Sequence, residues 1–224
     1  MKQLFIVANW KSHKTKNDVK EWLQTCKIEA VNTKKEVIVC PPFTLLSEFI
    51  SYSKENASSI KIGAQDISPF DEGPYTGEVN SKQVKEFADY VIIGHSERRK
   101  YFGESDEIIS QKLSQALKAA LTPILCISHT QQILHLQKYL QEVTIIIAYE
   151  PEFAIGSGSP DTPENAEAVA KEIKQILPHA LVLYGGSVSA ENIGEFTQMS
   201  HINGVLVGNK SLDPQEFSLI ISHA

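Results

Sequence analysis

The sequence is poor in the features that would mark a secreted, membrane-bound or nucleic-acid-binding protein. Only three cysteines occur in 224 residues, at positions 26, 40 and 126. The count is odd and shows neither CxxC nor HxxxH spacing, which argues against a disulfide framework and a structural metal and fits three buried thiols in a reducing compartment. Basic residues number 21 against 27 acidic ones and are scattered, so no footprint for nucleic acid or an anionic membrane is present. The longest apolar run near the start, Leu4 to Ala8, is too short for a signal-peptide core or a membrane span, and a cytoplasmic protein is expected. No Pro-, Gly- or Ser-rich linker, composition shift or internal repeat of 20 to 50 matching residues divides the chain, so residues 1–224 are read as one domain.

What is present is a core and a rhythm. Hydrophobic residues make up 42% of the chain, and a chain of this size buries roughly 70–75% of the surface its unfolded form exposes. Eight short runs rich in Val, Ile and Leu stand at 4–8, 37–40, 60–64, 90–93, 123–127, 143–148, 180–184 and 204–207. Each is continuously apolar, as expected of strands buried on both faces of a parallel sheet. Amphipathic stretches near 17–30, 44–56, 80–87, 106–120, 130–141, 163–177, 190–198 and 213–222 read as helices between them. Thr162-Pro163, Asp213-Pro214 with Glu216 at the capping-box position, and Ser189 mark helix starts. This eightfold β/α alternation fits either a closed barrel or an open doubly wound sheet.

The polar and glycine-rich clusters follow the apolar runs directly, at the carboxyl ends of strands, where parallel β/α proteins build their sites. Asn9 and Lys11 follow the first run, Gln65 the third, His95 and Glu97 the fourth, Glu150 the sixth, Gly185 and Gly186 the seventh, and Gly208 the eighth. Lys11 brings a cation suited to an anionic substrate, although a single lysine is more often a solvated surface charge. His95 is able to polarise a carbonyl or carry a proton near neutrality, although one histidine alone is more often structural. Glu150 is a candidate base for removing a proton from carbon, at even odds with a cap or ion-pair role. Pro151 to Gly158 joins a stiff start, apolar Phe153, Ala154 and Ile155, and a glycine-rich end, which suits a lid that excludes water. The glycines of Tyr184-Gly185-Gly186-Ser187-Val188 and Gly204-Val205-Leu206-Val207-Gly208-Asn209 would let backbone N–H groups approach a phosphate.

In order along the chain, Asn9-Trp10-Lys11, Gly94-His95-Ser96-Glu97-Arg98-Arg99, Ala148-Tyr149-Glu150-Pro151, Ala154-Ile155-Gly156, Tyr184-Gly185-Gly186-Ser187-Val188 and Leu206-Val207-Gly208 closely resemble the triosephosphate isomerase family. The resemblance implies a single-domain (β/α)8 TIM barrel, with shortened helices between strands 5 and 6 and before strand 7. It also implies interconversion of dihydroxyacetone phosphate and D-glyceraldehyde 3-phosphate through an enediolate, a step of glycolysis and gluconeogenesis, with no metal or cofactor. Glu150 then resembles the family's base, His95 its electrophile, Lys11 and Asn9 its electrostatic and orienting residues, and Glu97 a supporting carboxylate. Backbone N–H groups at Gly156, Ser187, Gly208 and Asn209 resemble its phosphate clamp.

Departures from the family pattern are Asn209 for a second glycine, Phe153 for the lid tryptophan, His129 for a glutamate after strand 5, and Asp66 for an asparagine. Residues 70–80 resemble the family's protruding third loop, which implies a homodimer in which Thr76 approaches Asn9 and Lys11 of the partner subunit and Glu78 pairs with Arg98. The shortened helices are shared with tetrameric archaeal relatives, which leaves a tetramer as the alternative. Two rivals compete with this reading: another sugar-phosphate isomerase or lyase on the same barrel, and a noncatalytic phosphate-binding protein suggested by Asn209, Phe153 and His129. The joint presence of Lys11, His95 and Glu150 favours the isomerase over both.

Overall fold

Both faces of each apolar run find a partner, because the strands close on themselves. The computed structural model describes residues 2–26, 34–55, 59–136, 140, 145–156 and 158–224. Its strands, β1 (Leu4–Asn9), β2 (Lys35–Cys40), β3 (Lys61–Ala64), β4 (Tyr90–Ile93), β5 (Thr122–Ile127), β6 (Ile146–Tyr149), β7 (Leu181–Tyr184) and β8 (Ile202–Val207), form a closed parallel barrel in sequence order. Val7 stands opposite Ile38 of β2 and Leu206 of β8, which closes the ring. Phe5, Val7, Ile38, Ile92, Ile124, Ile146 and Leu206 fill the barrel's interior. The alternate residues, among them Ile6, Ala8, Val37, Val39, Ile93 and Ile147, face the helices. A strand with apolar neighbours on both sides has no reason to alternate, which is why the sequence pattern is continuous.

The helices are α1 (Lys16–Thr25), α2 (Leu46–Glu55), α3 (Ser81–Lys85), α4 (Ser96–Phe102), α5 (Asp106–Lys118), α6 (Gln131–Leu136), α7 (Pro163–Ile176), α8 (Ile193–Thr197) and α9 (Pro214–His223). Parts of the expected elements, at 27–30, 56, 137–139, 141 and 143–144, lie outside the described residues. Two of the three expected starts hold: the Thr162 side chain accepts from Asn165 N–H at 3.2 Å, and that of Asp213 from Gln215 N–H at 2.8 Å. Glu216 closes no capping box, because its carboxylate instead accepts from the N–H of Ala190 at 3.1 Å. Ser189 is not a cap. Its own N–H is held by Asn192 Oδ1 at 2.9 Å in a turn, and α8 starts only at Ile193.

Two further differences bear on the site. Helix α4 was not expected, since Ser-Glu-Arg-Arg-Lys carries no apolar stripe and none of its residues is buried. Its ends form it instead. His95 caps the amino end, left-handed Gly103 terminates it, and Arg98–Glu104 (2.5 Å) and Arg99–Asp106 (2.7 Å) tie it down. Gly204, grouped above with a phosphate turn, lies inside β8. At φ 146°, with the carbonyl oxygen of Phe5 only 1.9 Å from where a Cβ would sit, it serves the approach of β8 to β1.

Beneath the rim, Trp10 packs edge-on against Trp22 and Phe49 at ring-centroid distances of 5.0 and 5.4 Å, binding β1 to α1 and α2. On the other side of the barrel, the ammonium of buried Lys112 contacts Asp66 at 2.6 Å and Glu104 at 2.5 Å, and Arg98 joins both carboxylates. Burial pushes the Asp66 carboxyl up from its ordinary value, and the Lys112 ammonium opposes that shift. Cys40 and Cys126 are buried as expected, whereas Cys26 is only half-buried. Among the described residues no helix is long and apolar enough to cross a membrane.

Candidate active site

The carboxyl ends of the strands surround a cavity of about 260 Å³. Asn9, Lys11, His95, Glu150, Gly156, Ser187, Gly208 and Asn209 all border it. Glu97 does not. It borders a neighbouring cavity and reaches the site through Lys11, whose Nζ lies 2.6 Å from Glu97 Oε1.

Lys11 is held by its backbone as well. The Asn9 side chain at the end of β1 accepts from the Lys11 N–H at 2.9 Å, and Gln65 donates to the Lys11 carbonyl at 2.9 Å. This clasp keeps Lys11 at φ 52°, a conformation non-glycine residues rarely adopt, and turns its ammonium across the rim towards Glu97. Gly208 leaves room for it, since a Cβ there would lie 3.2 Å from Lys11 Cε.

His95 is buried at the start of α4, where its Nδ1 accepts from the Glu97 N–H at 3.2 Å. A ring nitrogen that accepts carries no proton, so the neutral ring has its N–H on Nε2. That N–H faces Glu150 Oε1 at 3.3 Å. Glu150 follows β6 and is itself buried. Its N–H bonds the Ile127 carbonyl at 2.8 Å, and its Oε2 accepts from the Ser96 N–H at 3.0 Å. The Cys126 thiol lies against the same carboxylate; burial first, then that charge, push the thiol well above its usual range. Gly185 after β7 makes the remaining space, because a Cβ there would stand 2.9 Å from Glu150 Cγ.

Around the same cavity, the amides of Gly156, Ser187, Gly208 and Asn209 have no hydrogen-bond partner among the described residues. Phe153 is 63% exposed, whereas Ala154 of the same segment is fully buried and its carbonyl accepts from the Ser187 hydroxyl at 2.7 Å. The segment 151–158 is thereby tied to the turn after β7; Ser157 within it lies outside the described residues. Its far end is anchored by buried Asp161, whose N–H bonds Tyr184 Oη at 2.7 Å and whose carboxylate accepts from Asn165 at 2.6 Å and Tyr149 at 3.3 Å. Burial pushes both tyrosine hydroxyls up to about 12.

The sequence reading did not single out Asp161, Asn192 or Lys210, although the last two line the cavity. A cation directly behind the Gly208-Asn209 turn was the available signal for Lys210. A buried carboxylate beside an imidazole N–H can move a proton from a carbon next to a carbonyl while that carbonyl is polarised. A cation and free amides lining the same cavity suit a small substrate carrying an anionic group.

Comparison with known proteins agrees with this chemistry. The family model described as triosephosphate isomerase matches residues 4–224. A triosephosphate isomerase of Synechococcus sp. (strain JA-2-3B'a(2-13)) is 39% identical over 245 aligned positions covering 99% of this chain and 97% of the relative. Those of Trichodesmium erythraeum (strain IMS101) and Aquifex aeolicus (strain VF5) are each 38% identical over 242 positions, covering 100% and 96% of this chain and 100% and 97% of the relatives. The Trichodesmium alignment takes in all 224 residues within 242 positions, so that relative carries residues this chain lacks. With a barrel of this topology, this rim and a match along nearly its whole length, the chain belongs to the triosephosphate isomerase family.

Proposed function

We propose that residues 1–224 act as one catalytic domain that interconverts dihydroxyacetone phosphate and D-glyceraldehyde 3-phosphate. The observation that carries this reading is the buried Glu150 carboxylate 3.3 Å from His95 Nε2, in the cavity that Lys11 also lines. Glu150 removes a proton from C1 of the ketone substrate while the His95 N–H donates to the carbonyl oxygen on C2. The resulting enediolate becomes the aldehyde when the hydroxyl proton passes from O1 to O2 and Glu150 returns the carbon-bound proton to C2. Triosephosphate isomerase is itself the standard worked case of this division between a glutamate base and a neutral histidine. Lys11 offsets the developing negative charge, Asn9 and Glu97 hold Lys11 in place, and the four free amides receive the phosphate. Residues 151–158 form the lid; excluding water matters because an open enediolate loses phosphate by elimination. The chemistry requires no cofactor, and the reading places the enzyme in the cytoplasm without nucleic-acid or membrane partners.

A coupled assay with glyceraldehyde 3-phosphate tests it. Wild-type protein turns over, and Glu150→Gln, prepared identically, loses about 10²- to 10⁴-fold in kcat with an unchanged circular-dichroism spectrum. Near-normal turnover in the variant would remove Glu150 from the role of base.

The same reading makes the protein a homodimer, with a tetramer as the alternative assembly. Its support is aromatic surface: Phe70 and Tyr75 stack at 4.3 Å in the third loop while 43% and 41% exposed, and Tyr101 and Phe102 at the end of α4 are 68% and 67% exposed. Thr76 would then meet Asn9 and Lys11 of the partner subunit. Arg98, already held by Glu104 and Asp66, would share its guanidinium with Glu78 across the interface. Size exclusion with light scattering at assay concentration gives a dimer or a tetramer; a monomer would refute the assembly.

A further inference from the structure

The turn after β8 carries a charge for which the proposed chemistry has no use. Lys210 follows Gly208 and Asn209 and lines the same cavity. The short helical turn Asn209–Leu212 that bears it is pinned from beneath by Ser211, which is fully buried. The Ser211 N–H and hydroxyl both bond the Gly208 carbonyl, at 2.8 and 2.7 Å, and its own carbonyl accepts from the Trp22 indole at 3.0 Å. The backbone of Lys210 is thus fixed beside the free amides of Gly208 and Asn209, while its side chain is exposed.

The cavity's charged lining residues are Lys11, Glu150 and Lys210. Lys11 is committed to Glu97 at 2.6 Å, whereas Lys210 makes no ion pair among the described residues. The acidic groups nearest along the chain are occupied elsewhere. Asp213 caps α9 through two backbone N–H groups, and Glu216 is bound to the Ala190 N–H. A rigid backbone, a lysine without an ion pair among the described residues and unpaired amides therefore line the same cavity.

We propose that Lys210 is a substrate-capture residue that adds a full positive charge to an otherwise amide-built phosphate clamp. The proposal rests on the isomerase reading for its substrate, a triose phosphate dianion. Amide donors orient a phosphate but carry only partial charge. An ammonium at the mouth of the cavity attracts the dianion from further away and favours it over the monoanion. For a separation of about 6 Å in a water-like dielectric, a unit charge acting on a dianion would change affinity by roughly three- to tenfold. Because the side chain is exposed, that effect is screened by salt, which separates it from packing.

The test compares wild type, Lys210→Met and Lys210→Arg. It measures KM and kcat for glyceraldehyde 3-phosphate and the inhibition constant of inorganic phosphate, at low and high ionic strength. Lys210→Met raises KM and the phosphate inhibition constant by about three- to tenfold at low salt, with less effect on kcat. Lys210→Arg restores both constants, and the gap between Met variant and wild type closes near about 0.5 M salt. An unchanged phosphate constant in an active Lys210→Met enzyme overturns the inference and leaves the isomerase reading standing. A loss in kcat with lowered thermal stability and no salt dependence overturns it too, in favour of a structural role. If wild type itself fails to turn over, the isomerase reading falls. Calorimetric binding of inorganic phosphate to wild type and Lys210→Met then decides the matter, with equal affinities overturning the role of Lys210.

Discussion

Replacing Gly185 with alanine adds one methyl group in contact with the Glu150 carboxylate, the proposed base. The new Cβ would stand 2.9 Å from Glu150 Cγ and 3.2 Å from the Tyr149 carbonyl oxygen. Carbon atoms in ordinary contact lie about 3.5–4.0 Å apart, so Glu150 must retreat by roughly 0.5–1 Å. It has nowhere to go without breaking its Ser96 bond at 3.0 Å or its approach to His95 at 3.3 Å, since it is only 2% exposed. A displacement of about 1 Å in a reacting group costs on the order of 10²-fold, so we expect kcat to fall between about 10- and 100-fold. The overlap itself costs about 1–3 kcal/mol of stability. Gly186→Ala is the matched control, because its Cβ would instead meet the Tyr184 hydroxyl at 2.1 Å. That hydroxyl accepts from Asp161 N–H beyond the 151–158 segment, and the Tyr184 ring is stacked on Phe196 at 4.0 Å. The control is therefore expected to lose stability and raise KM more than it lowers kcat. Steady-state kinetics with thermal melts distinguish the two, and a folded Gly185→Ala enzyme within twofold of wild-type kcat would refute the reasoning.

Lys112→Met leaves the buried carboxylates of Asp66 and Glu104 with Arg98 alone and is expected to cost about 3–5 kcal/mol in denaturant unfolding. Burial already holds the Asp66 carboxyl above its ordinary 3.8, and losing Lys112 removes the charge that restrains it. A carboxyl raised in the folded state costs stability above its folded pKa and regains it as pH falls through that value. The gap to wild type should therefore narrow as pH falls through the raised folded value towards the ordinary carboxylate range, and a constant gap would refute the assignment. Among the thiols, burial holds half-buried Cys26 up at about 11 and pushes Cys40 and Cys126 higher still. A thiol-specific disulfide reagent should accordingly modify Cys26 first and the other two only on unfolding, and prompt labelling of Cys126 in folded protein would contradict the burial.

Much of the barrel was legible because its physics is local. A strand covered on both faces must be apolar at every position, and eight such runs separated by amphipathic stretches admit few architectures. Choosing the closed barrel over an open sheet required more, because closure depends on β8 meeting β1, a contact between chain ends. Its marker was Gly204, where a side chain would collide with Phe5, and the sequence alone placed that glycine with the phosphate turn. Helix α4 was hidden for the opposite reason: it buries none of its residues and is held by its cap, its terminating glycine and ion pairs to Glu104 and Asp106.

The rim residues were legible in a different way, through position rather than type. Asn9 ends a strand and Lys11, His95 and Glu150 each follow one, and a barrel brings all such positions together however far apart they lie in the chain. What position could not convey is which groups remain available for a ligand. Lys11 and Lys210 look alike as letters, yet Glu97 engages the first, while the second stands uncommitted beside two free amides among the described residues. Gly185 and Gly186 are likewise adjacent glycines in one turn, but the first clears space for Glu150 and the second for Tyr184. Which residue binds, which moves a proton and which only makes room is therefore decided by partners that lie far away in sequence, and substitutions at such neighbouring pairs are where these roles come apart.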